Sequence, residues 1–256
     1  MRLLPPSSSE GFCLMCEGRV AIVTGAAGSG MGRSIALTLA REGAKVVVNY
    51  RRSEEAAKAI VDRIESRGGS AIEVQADVFD AGGCKTLVDA TVDRFGQVDI
   101  CVIGPGAGWH PEPVSKLDSS AALDDIRQEV APIYHLMPLV LPGMFERGWG
   151  RLIAIALAQP HSSPSYSYDV GKAARVYAIQ HARDAVWRNR VTVNLIGPGA
   201  VPEIGSLEEA VEQCDHGPAW KNRTTATPQD IAEGVTFLCS ESGRFVSGSV
   251  LTYMMA

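Results

Sequence analysis

The stretch Arg19-Val20-Ala21-Ile22-Val23-Thr24-Gly25-Ala26-Ala27-Gly28-Ser29-Gly30-Met31-Gly32 decides the fold. Val20 to Val23 is a short apolar run that reads as a buried strand. Arg33 to Ala40 is apolar at helical spacing. A strand thus runs into a glycine-rich turn and then a helix. Glycines let the backbone approach an anion and take positive φ. The free N–H groups and the dipole at the helix start attract negative charge. A second strand at Ala44 to Tyr50 completes a unit suited to a dinucleotide.

The same alternation continues along the chain. Ser53 stands at the start of a helix from Glu54 to Arg67, and Gly68-Gly69 stops it. Ser70 to Ala76 reads as a third strand, followed by a helix over Ala81 to Phe95 closed by Gly96. Val98 to Ile103 is a fourth strand. Ala121 to Arg147 is helical, with kinks or breaks expected at Pro132, Pro138 and Pro142. Arg151 to Ala158 and Val191 to Ile196 are strands, separated by a helix over Tyr168 to Arg188. A short helix at Leu207 to Cys214, a helix from Pro228 to about Ser240 and a strand at Ser249 to Met254 finish the chain. Apolar strands joined by helical crossovers imply a parallel sheet covered on both faces. The expected fold is α/β: a single-domain Rossmann-type, doubly wound parallel sheet of about seven strands. Ligands then bind beyond the carboxyl ends of the strands, near the switch point.

Pro- and Ser-rich residues 1–17 read as a flexible arm before a domain over 18–256. The Cys13–Cys16 pair within the arm has no second pair or His cluster at metal-binding spacing, so no metal site is expected. Segment 201–226, with Trp220, reads as a substrate cover. The net charge is −5 and the pI about 5.6, which argues against nucleic acid or anionic membrane as a partner. No apolar run reaches membrane-spanning length. Six scattered cysteines fit a reducing, cytoplasmic setting.

The second strand ends in Asn49-Tyr50-Arg51-Arg52, without the carboxylate that commonly holds an NAD ribose. Two guanidiniums there suit a 2′-phosphate, so NADP(H) is expected in preference to NAD(H). Asp77-Val78 after the third strand stands to meet the adenine, or Asp77 caps the next helix. Tyr168 and Lys172 are four apart and share one helix face. A nearby ammonium stabilises a phenolate, which would lower the Tyr168 pKa toward usable values. Such a pair gives a proton to, or takes one from, a substrate oxygen while a nicotinamide moves hydride.

Taken together these motifs resemble the short-chain dehydrogenase/reductase family. The matching residues are Thr24-Gly25 with Gly30-Met31-Gly32, Asp77-Val78, Tyr168 with Lys172-Ala173-Ala174, Asn194 and Pro198-Gly199. They span residues 18 to about 256 and are specific for the family, not for a substrate. The resemblance implies an NAD(P) cofactor, Tyr168 as acid/base, Lys172 on the ribose and the tyrosine, and a homotetramer or homodimer. The cofactor-binding set is Thr24, Gly25, Ser29, Gly30, Met31, Gly32, Tyr50, Arg51, Arg52, Asp77, Val78, Gly104, Tyr168, Lys172, Pro198 and Gly199.

The departures cluster at the site. The glycine turn is one residue longer than usual. Ile103-Gly104-Pro105-Gly106 replaces the family's Asn-Asn-Ala-Gly. The family's catalytic Asn falls near Glu129. The fifth strand has no hydroxyl where the catalytic Ser stands, and the Thr after Pro-Gly becomes Glu203. Losing one such donor removes ~2.7–4 kcal/mol of transition-state stabilisation. Ser163 on the following loop stands as a substitute or as a plain loop serine, and Glu129 as a relay or a solvated helix residue. His110 stands as an added donor or a plain loop residue. The expected activity is NADP(H)-dependent interconversion of a carbonyl and an alcohol on a small molecule. The alternatives are a dinucleotide-binding sensor or assembly subunit with little redox activity, and a non-redox Tyr–Lys lyase or isomerase.

Overall fold

A computed structural model describes residues 14–157 and 165–253 of the chain. Seven strands form one parallel sheet: β1 (Val20–Val23), β2 (Lys45–Tyr50), β3 (Ser70–Gln75), β4 (Ile100–Ile103), β5 (Gly150–Ile155), β6 (Val191–Gly197) and β7 (Val250–Thr252). Their order is β3-β2-β1-β4-β5-β6-β7. Seven α-helices flank them: α1 (Met31–Arg41), α2 (Glu54–Glu65), α3 (Ala81–Phe95), α4 (Ser119–Arg147), α5 (Tyr166–Val186), α6 (Leu207–His216) and α7 (Pro228–Cys239).

The period of two along each strand splits the core into two. Ala21, Val23, Val46, Val48, Ile153 and Ile155 pack with α1, α2, α6 and α7 on one face. Ile22, Val47, Leu152 and Ala154 pack with α3, α4 and α5 on the other. Both faces of the sheet are therefore dry, which explains the unbroken apolar strands. The order reverses direction between β1 and β4. The loops after these two strands meet at the switch point, where a ligand crevice forms.

One detail differs from expectation. Helix α4 runs unbroken through Pro132, Pro138 and Pro142. Each proline removes one backbone donor, but burial of Ile133, Leu136, Val140 and Met144 against the sheet carries the helix through. Of residues 14–17, Cys16 is buried in the core and its N–H donates to Glu42 O at 2.9 Å, while Leu14, Met15 and Glu17 are exposed. Burial pushes its thiol up to about 12. Cys13 lies outside the described residues.

Candidate active site

The turn after β1 is held by bonds between residues distant in sequence, which sequence pattern alone does not announce. Thr24 is buried; its hydroxyl donates to Val102 O at 3.1 Å and accepts from Gly104 N–H at 3.0 Å. This side chain fixes the turn after β1 to the loop after β4. Gly25 has φ 62°, and its N–H donates to Asn49 Oδ1 at 3.1 Å. Asn49 also donates to Ala76 O at 3.0 Å, so one buried amide ties together the ends of β1, β2 and β3. A Cβ on Gly32 would lie 2.7 Å from Gly25 O. Only glycine lets α1 pack this close to the turn.

Gly30 precedes α1 as its N-cap residue, giving no side-chain cap, and the first turn of the helix carries no acid. Its first N–H groups therefore keep their capacity for an anion. A cavity of about 190 Å³ opens beside them, lined by Thr24, Gly25, Gly30, Gly32, Gly104 and Pro105 among others. A Cβ on Gly30 would meet nothing within 4 Å, so a phosphate has room there. These residues fit a dinucleotide diphosphate. Ser29 O accepts the N–H of Ile204 at 2.9 Å, anchoring the start of segment 201–226 to the turn. Met31 is half-buried against the core. Pro198 is buried, and Gly199 turns the chain after β6 with φ 68°. We expect Gly32→Ala to weaken nucleotide binding by the ~1–3 kcal/mol of an overpacked contact, about 5- to 150-fold in the dissociation constant. Calorimetric titration checks this.

At the end of β2, Tyr50 is buried in the core, while Arg51 and Arg52 are exposed. Arg51 Nη1 lies 3.6 Å from Asp77 Oδ2. Asp80, not Asp77, caps α3 by accepting from Gly83 N–H at 2.8 Å. Asp77 instead accepts from Phe79 N–H, and Val78 is buried.

Across the switch point, α5 presents Tyr168, Lys172 and Arg175 on one face. Tyr168 is half-buried and Lys172 is buried, with its Nζ 5.1 Å from the phenol ring centre. Glu129 on α4 is fully buried; its Oε2 lies 3.0 Å from Lys172 Nζ and 3.0 Å from Arg175 Nη1. Its Oε1 accepts from Ala107 N–H at 3.0 Å. The expected lowering of the Tyr168 pKa is therefore corrected. Burial first, then the Glu129 carboxylate, pushes the phenol up to about 12. The Lys172 ammonium is occupied by that same carboxylate. Burial first, then the Arg175 charge, brings Lys172 down to about 8.

Strand β5 leads into buried Ala156 and half-buried Leu157, apolar where the family's hydroxyl stands. Ser163 lies outside the described residues, as do Ser162 and His161. His110 is exposed, with Nδ1 3.5 Å from Asp125 Oδ2; Ser167 donates to the same oxygen at 3.0 Å. Trp109 and Trp220 are exposed. Sequence reading missed Arg175, Asn49, and the Asp125–Ser167 contact beside Tyr168. Among the described residues no His, Cys, Asp and Glu side chains group as a metal site, and no helix is long and apolar enough to cross a membrane.

Known proteins place this geometry. The sequence profile of the family described as enoyl-(acyl carrier protein) reductase matches residues 25–253. The chain is 32% identical over 250 residues to a 7α-hydroxysteroid dehydrogenase of Escherichia coli, covering 93% of this chain and 94% of that one. It is 31% identical over 261 residues to a versicolorin reductase of Emericella nidulans, covering 96% and 97%. The solved structure of a 7α-hydroxysteroid dehydrogenase with NADH and 7-oxo glycochenodeoxycholic acid superposes with a TM-score of 0.81 at 32% identity, covering 94% of each chain. By these matches the chain belongs to the short-chain dehydrogenase/reductase family and is an NAD(P)-dependent oxidoreductase of carbonyl and alcohol groups.

Proposed function

We propose that the chain interconverts a ketone and a secondary alcohol with NADP(H) in preference to NAD(H), through Tyr168 and Lys172. The observation that carries this reading is the buried Lys172, held by Glu129 at 3.0 Å beside the Tyr168 ring, with Glu129 and Arg175 bonded to the loop after β4 whose Gly104 and Pro105 line the glycine-turn cavity. Thr24, Gly25, Ser29, Gly30, Met31, Gly32 and Gly104 would hold the diphosphate side, and Pro198-Gly199 the nicotinamide side. When bound, the nicotinamide supplies or accepts the hydride. Tyr168 gives its hydroxyl proton to the carbonyl oxygen in reduction and takes it back in oxidation. Lys172 replenishes that proton. Ala156 and Leu157 offer no hydroxyl at the strand end, so Tyr168 is the proton donor there, with Ser163 of the following loop as its helper. The relatives' names suggest a panel of fused-ring ketones, 7-oxo bile acids among them, with NADPH oxidation followed at each.

Arg51 and Arg52 support the preference for NADP(H). The double variant Arg51→Ala/Arg52→Ala is expected to lower the ratio of NADPH to NADH efficiency by ~10-fold or more, the worth of charge-assisted bonds to a phosphate. An unchanged ratio removes the preference. Exposed Leu123, Tyr134, Val170 and Tyr177 on α4 and α5 support a homodimer or homotetramer, measurable by light scattering. The five described cysteines are free thiols, in keeping with the cytoplasm. The apolar end of β5 favours a second reading, a dinucleotide sensor with little turnover. Tight NADP binding without oxidation of any ketone or alcohol in the panel would support it.

A further inference from the structure

The side chains around Glu129 are fitted to one another. Arg175 is fully buried, seven residues after Tyr168 and three after Lys172 on α5. Its Nη1 donates to Pro105 O at 2.8 Å and to Glu129 Oε2 at 3.0 Å, and its Nη2 donates to Ile103 O at 3.1 Å. One guanidinium thus holds both the carboxylate and the loop after β4. Glu129 fits only because two neighbours lack a side chain. A Cβ on Gly106 would lie 2.2 Å from Glu129 Oε1, and one on Gly171 would lie 2.8 Å from its Cγ. The loop at 103–106, Glu129, Gly171 and Arg175 therefore form one interlocked unit, which argues for a built centre over a decayed one.

Charge counting shows what the unit does. Glu129 alone would pair with a charged Lys172, and the buried pair would be neutral. Arg175 adds a second cation to the same carboxylate. With Arg175 always charged, the buried cluster is neutral only when Lys172 has given up its proton. We propose that Arg175 is a positioning residue that engages the Glu129 carboxylate and so frees Lys172 to shed and regain a proton beside Tyr168. The lowering of Lys172 to about 8 agrees. The groups facing Lys172 are Glu129 from α4 and Arg175 and Tyr168 from α5, with Asp169 next to Tyr168. The loop 103–108 packed against them carries no ionisable side chain. In reduction the proton passes from Tyr168 Oη to the substrate oxygen, Lys172 Nζ restores it to the phenolate, and solvent reprotonates Lys172.

The inference rests on the reading of Tyr168 and Lys172 as the acid/base pair. Its test reads Lys172 directly, without nucleotide or substrate, so its failure is separable from failure of that reading. The ¹⁵N resonance of Lys172 Nζ, assigned by its loss in Lys172→Met, is titrated with pH in the full chain. Arg175→Met should move the midpoint upward by a pH unit or more, and Arg175→Lys should return it toward the wild-type value. Glu129→Gln, which keeps the shape and removes the anion, should move it downward. These opposite shifts are not produced by a merely structural arginine. If Arg175→Met does not fold, Arg175→Gln, which removes the charge and keeps a donor toward Glu129, takes its place with the same upward shift expected. A midpoint that stays or falls when the Arg175 charge is removed overturns the proposal.

Discussion

Tyr168→Phe is expected to lower kcat/KM for carbonyl reduction by ~10²–10⁴-fold, the usual worth of a positioned acid/base group, with nucleotide affinity unchanged. The phenol is the proton source, and Ala156 and Leu157 leave no hydroxyl at the end of β5 to stand in for it. Lys172 and the glycine turn remain, so the nucleotide keeps its contacts. Because burial and Glu129 push Tyr168 up to about 12, the residue is a phenol throughout neutral pH. Reduction uses that protonated form and should be flat with pH near neutrality. Alcohol oxidation needs the deprotonated form, so its rate should climb as pH rises. Steady-state rates in both directions across pH 6–10 (about the range of common buffers) check both statements. A Tyr168→Phe variant with wild-type turnover would remove Tyr168 from the chemistry.

The second large effect concerns stability. Glu129→Ala strips the carboxylate that meets Lys172 and Arg175, both at 3.0 Å, in a site with no exposure at Glu129. Breaking a buried ion pair by removing one partner costs ~3–5 kcal/mol, because the remaining charge stays buried without compensation. For a chain of this size each kcal/mol moves Tm by ~2–4 °C, so a fall of roughly 6–20 °C is expected. Here two cations lose their partner, although Lys172 can escape part of the penalty by losing its proton. Arg175 cannot. Arg175→Leu in the Glu129→Ala background should therefore recover part of the lost Tm, since an apolar replacement of both partners leaves no stranded charge. Thermal melts of the two single variants and the double variant give the coupling directly. Equal, additive losses would show that the two side chains do not act as a pair.

These effects separate what the sequence discloses from what only packing creates. The strands were legible because Val20–Val23 and Ile100–Ile103 are apolar on both faces, as a covered parallel sheet requires. The end of helix α3 was legible, since Gly96, left-handed in the fold, closes it. The phosphate turn was legible because its glycines answer to local geometry. Glu129 was visible only as a departure from a motif. Its partner Arg175 is 46 positions away on another helix, and nothing local in the sequence joins them. The behaviour of Tyr168 was misread for the same reason: the spacing puts Lys172 beside it, but the carboxylate that occupies the lysine comes from α4. Thr24 and Asn49 were likewise readable as strand ends, not as the bolts between loops that they are. The α4 prolines follow local rules that burial overrides.

A crystal structure of the chain with NADP⁺ bound tests the central claim most directly. The account predicts the diphosphate against the N–H groups at the start of α1, over Gly30 and Gly32, with the Tyr168 hydroxyl facing the nicotinamide across the cleft. Nucleotide bound elsewhere, or a Tyr168 hydroxyl directed away from the nicotinamide, would contradict it.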